Sequence, residues 1–122
     1  MQGGKLAVAW VAYRDRTDRV LVRLLENTAW SEAEEVTPRA ATIFRCALAT
    51  DRSGSLWVFW SELDGDRWQI WSRRKTGATW QSATPLTSQG SNTFLRATAA
   101  PNGSIFIAWQ SYRGDGCGLT GR

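Results

Sequence analysis

Three tryptophans closing three similar apolar runs constrain this chain more than any other feature. Leu6-Ala-Val-Ala-Trp10, Leu56-Trp-Val-Phe-Trp60 and Ile105-Phe-Ile-Ala-Trp109 follow one another at separations of 50 and 49 residues. The offset of 50 recurs between Val20 and Ile70, Arg23 and Arg73, Trp30 and Trp80, Thr37 and Thr87, Phe44 and Phe94, and Ala47 and Ala97. A register held across a whole unit marks a repeat architecture, in which each unit buries its faces only against its neighbours.

The unit reads as short strands separated by turns. Phe44 to Thr50 is followed by Asp51-Arg-Ser-Gly54, whose residues tolerate bent backbone. Ser55 to Glu62 is dense in apolar and aromatic residues, and Leu63-Asp-Gly-Asp66 carries the Asp-Gly hairpin signal. Trp68 to Arg74 alternates imperfectly, Lys75-Thr-Gly-Ala78 turns again, and Thr79-Trp80 opens an outer strand ending near Thr87. No segment sustains the i, i+3, i+4 apolar spacing of a helix between caps.

Four short strands at this period are what a β-propeller blade requires. The expected fold is therefore all-β, built of four-stranded antiparallel blades, with about two and a quarter repeats of ~50 residues in an incomplete propeller. Residues 1–122 form one fragment with repeats 5–54 and 55–103, a partial copy 104–116, and an irregular tail 117–122. Residues 5–12, 19–26 and 29–37 supply strands two to four of a first blade. Residues 44–87 supply a complete blade, and 94–100 with 104–111 supply two strands of another. That total falls short of the about 16 strands in the smallest closed ring, and the flanking faces and edges would stay open. Either several chains assemble into a ring or the chain is a truncated piece of a longer propeller, and in both cases self-association through open blade faces or edge strands is expected.

Composition narrows the chemistry. Eight Trp supply the large apolar area that stacked blades need, while the lack of His removes the commonest general base and metal ligand. The net charge of +4 comes from scattered Arg, whereas a nucleic-acid surface needs basic residues clustered on one face. No run of about 18 apolar residues predicts a membrane span, and Met1-Gln-Gly-Gly-Lys-Leu6 lacks a signal-peptide layout. No compartment follows from this. Cys46 and Cys117 follow no metal spacing and read as free thiols.

The order of strands resembles the blades of sialidase-like bacterial β-propellers with Asp-box repeats. The resemblance rests on Ala49-Thr-Asp-Arg-Ser-Gly-Ser-Leu-Trp-Val-Phe-Trp60, Ala99-Ala-Pro-Asn-Gly-Ser-Ile-Phe-Ile-Ala-Trp109 and Trp71-Ser-Arg-Arg-Lys-Thr-Gly-Ala-Thr-Trp80. Gly77, Thr79 and Trp80 match the box, while Arg73 and Lys75 stand where it has Ser and Asp; in the first copy Trp30 remains. Phe44-Arg45-Cys46-Ala47 looks like the Phe-Arg-Ile-Pro motif of that family, with Cys46 and Ala47 in place of Ile-Pro. By that resemblance Arg45 would hold a ligand carboxylate, a bidentate task suited to a guanidinium.

Ligand contact is expected at Arg45, Trp68 and Trp71, with no catalytic set, metal site or cofactor. Asp15, Asp18, Asp64 and Asp66 read as turn residues, since calcium needs about six to eight oxygens. Glu32, Glu34 and Glu35 read as a solvated loop, and Arg113-Gly-Asp115 as a hairpin turn. The leading reading is a non-catalytic binding or scaffold module that takes carbohydrate or protein, without nucleic-acid or membrane partners. A glycoside hydrolase using Arg45 in an assembled ring is one alternative. A truncated gene fragment is the other.

Overall fold

The structure, a computed structural model, describes residues 6–14, 17–26, 28–37, 41–112 and 117–121. It is all-β, in three antiparallel sheets that follow one another along the chain. The first holds β1 (Leu6–Arg14), β2 (Thr17–Glu26), β3 (Ala29–Trp30) and β4 (Glu34–Glu35). The second holds β5 (Ile43–Thr50), β6 (Leu56–Asp64), β7 (Arg67–Thr76), β8 (Thr79–Trp80) and β9 (Thr84–Pro85). The third holds β10 (Ser91–Ala99), β11 (Ile105–Tyr112) and β12 (Cys117–Gly121). Each sheet is a blade, and the period of about 50 residues gives its length but not its phase. The hydrogen-bonded units begin on β5 and β10, the strands that open the blades expected over 44–87 and 94–111.

Two expectations are corrected. The tail expected to be irregular over 117–122 is a strand over its described residues, 117–121: β12 pairs with β11 from Tyr112↔Cys117 to Ala108↔Gly121 and adds a third strand to the last blade. The outer strand of each of the first two blades is not continuous but split, as β3 with β4 and β8 with β9. One extra residue between the two paired segments breaks the ladder, the geometry of a bulge. Arg113-Gly-Asp115 and Asp15 lie outside the described residues.

A set of hydrogen bonds repeats between the first two blades at the offset of 50. Val36 N–H donates to the Val20 carbonyl, and 50 residues on Leu86 N–H donates to that of Ile70. Thr37 Oγ1 accepts from Val20 N–H, as Thr87 Oγ1 does from Ile70 N–H. Arg23 Nε donates to the Ser31 carbonyl and lies over Trp30, and Arg73 Nε does the same to Gln81 over Trp80. These bonds explain why the same side chains recur in sequence: they satisfy backbone groups the split outer strand leaves open.

The middle blade is buried on both faces because its strands alternate apolar residues to either side. Leu56, Val58 and Trp60 join Val20, Val22, Val36 and Ile43 in the core between the first two blades. Phe59 and Ile70 join Leu95, Ile107 and Trp109 in the core between the second and third. Each fully buried Val, Leu or Ile contributes roughly 1.5–3 kcal/mol.

Asp51 shows how one side chain fixes a turn. Its Oδ1 accepts from Ser53 N–H, Ser53 Oγ–H and Ser55 N–H at 3.0, 2.7 and 3.0 Å, and its Oδ2 accepts from the Trp57 indole at 2.9 Å. Gly54 takes φ +87° in this turn, which a side chain would strain. Burial alone would raise the Asp51 carboxyl, but these hydrogen bonds outweigh it and hold it down at about 2.

Candidate functional site

Two β-bulges on the inner strands build the site. In the second blade Ile43 pairs with Glu62 and Cys46 with Trp60, so Phe44 and Arg45 together oppose Ser61. In the third, Thr93 pairs with Gln110 and Arg96 with Ala108, so Phe94 and Leu95 oppose Trp109. A bulge twists the strand and re-aims the side chains beside it. Phe94 adopts φ +54°, a left-handed conformation that costs an L-residue roughly 1–2 kcal/mol. Such strain persists where the surroundings enforce it, and it concentrates at functional positions.

The result is a half-exposed aromatic cluster across the seam between the two blades. The rings of Phe44 and Phe94 meet edge to face at 5.3 Å and 87°, and Trp68 lies 6.0 Å from Phe44. The Arg45 guanidinium carbon sits 5.7 Å from the Phe44 ring centre and 5.5 Å from that of Phe94. Each ring attracts the cation through its quadrupole, so aromatic surface holds the guanidinium.

A buried amide pins the seam beneath this cluster. Asn92 Nδ2 donates to the carbonyls of Trp68 and Gln89 and to Gln69 Oε1, at 3.0–3.3 Å. Its Oδ1 accepts from the Trp109 indole at 3.1 Å, and its carbonyl accepts from Ser61 Oγ–H at 2.8 Å. Ser91 Oγ accepts from Trp68 N–H at 3.0 Å. Asp18 accepts the Ile43 N–H at 2.9 Å and so ties the start of β5 to the first blade.

Beside the aromatics, Arg45, Cys46 and Ala47 of β5 and Leu95, Arg96 and Ala97 of β10 line a pocket of about 330 Å³. Its two charges are both positive. Burial pushes the Cys46 thiol up. Farther along the seam a second cavity of about 420 Å³ is bounded mainly by Trp57, Phe59, Leu86, Ile105 and Ile107. Asp51 reaches it too, but that carboxylate is engaged by its own turn.

Arg45 and Trp68, both expected from the sequence, thus come together, and Trp71 does not join them. Its ring stacks on Trp60 at 6.5 Å and 10° and packs into the core toward the first blade. Three residues apart on one strand, Trp68 and Trp71 emerge on opposite faces. Phe94 does not take the ladder position that an offset of 50 from Phe44 implies. Ile43↔Glu62 corresponds to Asn92↔Ser111, and Ala47↔Phe59 to Arg96↔Ala108, each 49 residues on. Phe94 therefore stands at the ladder position of Arg45, not of Phe44.

The acidic residues also differ from expectation. Glu34 is not part of a solvated loop: it belongs to β4 and accepts from Lys75 Nζ and the Trp80 indole of the next blade. Burial would raise its carboxyl, yet those hydrogen bonds and the Lys75 charge hold it below the usual carboxylate range. Glu35 lies 3.5 Å from Arg19, and Glu32 is exposed.

No protein-family model matches the sequence. No curated protein matches it either. Two solved structures share its fold. A protein of unknown function from Dyadobacter fermentans superposes over 100% of this chain with a TM-score of 0.78 at 13% identity. This chain spans about a third of that protein's length, 35%. A fucose lectin from Kordia zhangzhouensis, solved in complex with methyl-fucoside, superposes over 99% of this chain and 87% of its own. Its TM-score is 0.59 at 16% identity, a likeness of fold.

Proposed function

We propose that the chain is a non-catalytic carbohydrate-binding module of propeller type that self-associates, with its sugar contact at Phe44, Arg45, Trp68 and Phe94. The observation that carries this is the Arg45 guanidinium held over two half-exposed phenylalanine rings, with Trp68 beside them. Sugars present C–H faces that pack on aromatic rings and hydroxyls that accept from a donor fork. The cluster offers both, with Arg45 also lining the neighbouring pocket, and small-ligand sites likewise combine apolar surface with few polar groups.

The lectin with the shared fold was solved with methyl-fucoside, which makes that glycoside the first ligand to test. The experiment is a glycan-array screen with methyl-fucoside included, on the full chain. Binding to a defined set of glycans that weakens at least tenfold in Arg45→Ala supports the reading. A blank array overturns it and leaves a protein ligand as the target of search.

A second reading, a glycoside hydrolase of sialidase type in an assembled ring, draws on Arg96 lining the same pocket as Arg45. It predicts turnover of a fluorogenic sialoside that is lost in Arg45→Ala. No turnover by an assembled sample removes it.

A further inference from the structure

One apolar trio recurs in all three blades, and two of its copies are covered in the same way. Leu56, Val58 and Trp60 of β6 are 6%, 0% and 0% exposed, packed against the face of the first blade that carries Ala7, Ala9 and Val11. Ile105, Ile107 and Trp109 of β11 hold the same positions 49 residues on and pack with Trp57 and Phe59 of the second blade. The third copy is Leu6, Val8 and Trp10 of β1, 50 residues before the first. Ala7, Ala9 and Val11 face the second blade, so strand alternation turns the trio away from it, and Leu6 and Val8 are 48% and 39% exposed.

The receiving surface recurs too. Ala7 and Ala9 in the first blade and Trp57 and Phe59 in the second cover a trio; their ladder equivalents in the third are Phe106 and Ala108. Phe106 is 53% exposed. The molecule therefore leaves Leu6 and Val8 of the trio exposed on one end face, with Trp10 half-buried beside them, and Phe106 of the receiving surface exposed on the other.

We infer that the Leu6–Val8–Trp10 face docks on the Phe106–Ala108 face of a second copy of this chain, continuing the packing already made twice within it. This rests on the self-association reading and names its surfaces. The two faces differ, so the contact is head-to-tail and heterologous, and it closes into a ring when the rotation between blades permits. Two copies bring six sheets, inside the roughly four to eight blades of known rings.

The test is light scattering on a size-exclusion column with the full chain, Val8→Glu, Phe106→Glu and an equimolar mixture of the two variants. Both substitutions lie on exposed positions of folded strands. The wild type is expected to be oligomeric, each variant alone at least tenfold weaker in association, and the mixture dimeric. In the mixture, the intact trio of Phe106→Glu meets the intact receiving face of Val8→Glu, which also shows that both variants are folded. An oligomer dissolved by Val8→Glu but not by Phe106→Glu would mean that trio faces pair with each other, and it overturns the inference. So does an oligomer that both variants leave intact, or a mixture that stays monomeric, although self-association itself then stands. A wild type monomeric at every concentration overturns both.

Discussion

The Lys75 ammonium lies 2.8 Å from each carboxylate oxygen of Glu34, and this pair clasps the first blade to the second. The Trp80 indole donates to the same carboxylate at 3.1 Å, and Arg73 Nη1 donates to the Val36 carbonyl at 2.7 Å across the same seam. Lys75 is 9% exposed, whereas the Glu34 side chain is 32% exposed.

That asymmetry orders two substitutions. Glu34→Ala strands a buried ammonium and should cost about 2–4 kcal/mol of unfolding free energy. Lys75→Met leaves a carboxylate that water can reach and should cost about 1–2 kcal/mol. Urea denaturation of the two variants checks the order, and a more damaging Lys75→Met would contradict it.

Acid should weaken the fold through Asp51 and Glu34. Both carboxyls sit below their ordinary values when folded, so the unfolded chain binds more protons as pH falls. The stability they supply is complete above the unfolded pKa and is lost as pH drops through the folded one. For Asp51 this window runs from 3.8 to about 2. Asp51→Asn should flatten the denaturation midpoint across that window, and an unchanged slope would refute the assignment.

At Phe94 the left-handed backbone gives a comparison free of side-chain packing. Glycine takes φ +54° without strain and alanine does not, so Phe94→Gly should be about 1 kcal/mol more stable than Phe94→Ala. In an ordinary strand the order would reverse, by roughly 0.5–1 kcal/mol. Both variants should lose glycan binding, which separates backbone strain from ring contact.

Trp71 should behave as core. Trp71→Ala removes a ring stacked on Trp60 and should cost about 3 kcal/mol or more, with glycan affinity of the folded fraction unchanged. Trp68→Ala should do the opposite, weakening binding severalfold with a smaller loss of stability.

Most of the blade was legible because it rests on local rules. Val20 and Ile70, Thr37 and Thr87, and Arg23 and Arg73 were visible as a period, and each pair makes the same hydrogen bond in its blade. The turns at Asp51 and Asp64-Gly65 announced themselves by composition. What stayed hidden depends on spacing that sequence cannot localise. The connector from Thr37 to Ile43 is one residue longer than its counterpart from Thr87 to Asn92, so the offset falls from 50 to 49 between them. The Trp60–Trp109 separation carried that loss but did not say where it occurred. An offset of 50 matches Phe94 to Phe44, whereas the ladder gives Phe94 the position of Arg45. Glu34 was hidden for a different reason: its partner, Lys75, belongs to another blade, and no local pattern joins residues 41 positions apart.

Calorimetric titration with methyl-fucoside and the best glycan from the array tests most directly whether Arg45 and its aromatic neighbours bind sugar. Wild-type protein and Arg45→Ala would be titrated side by side, with circular dichroism confirming that both are folded. Saturable binding that weakens at least tenfold in Arg45→Ala is the result expected. Equal affinity in the two proteins would place the sugar elsewhere on the molecule, and no heat with either ligand would contradict the account of this chain as a carbohydrate-binding module.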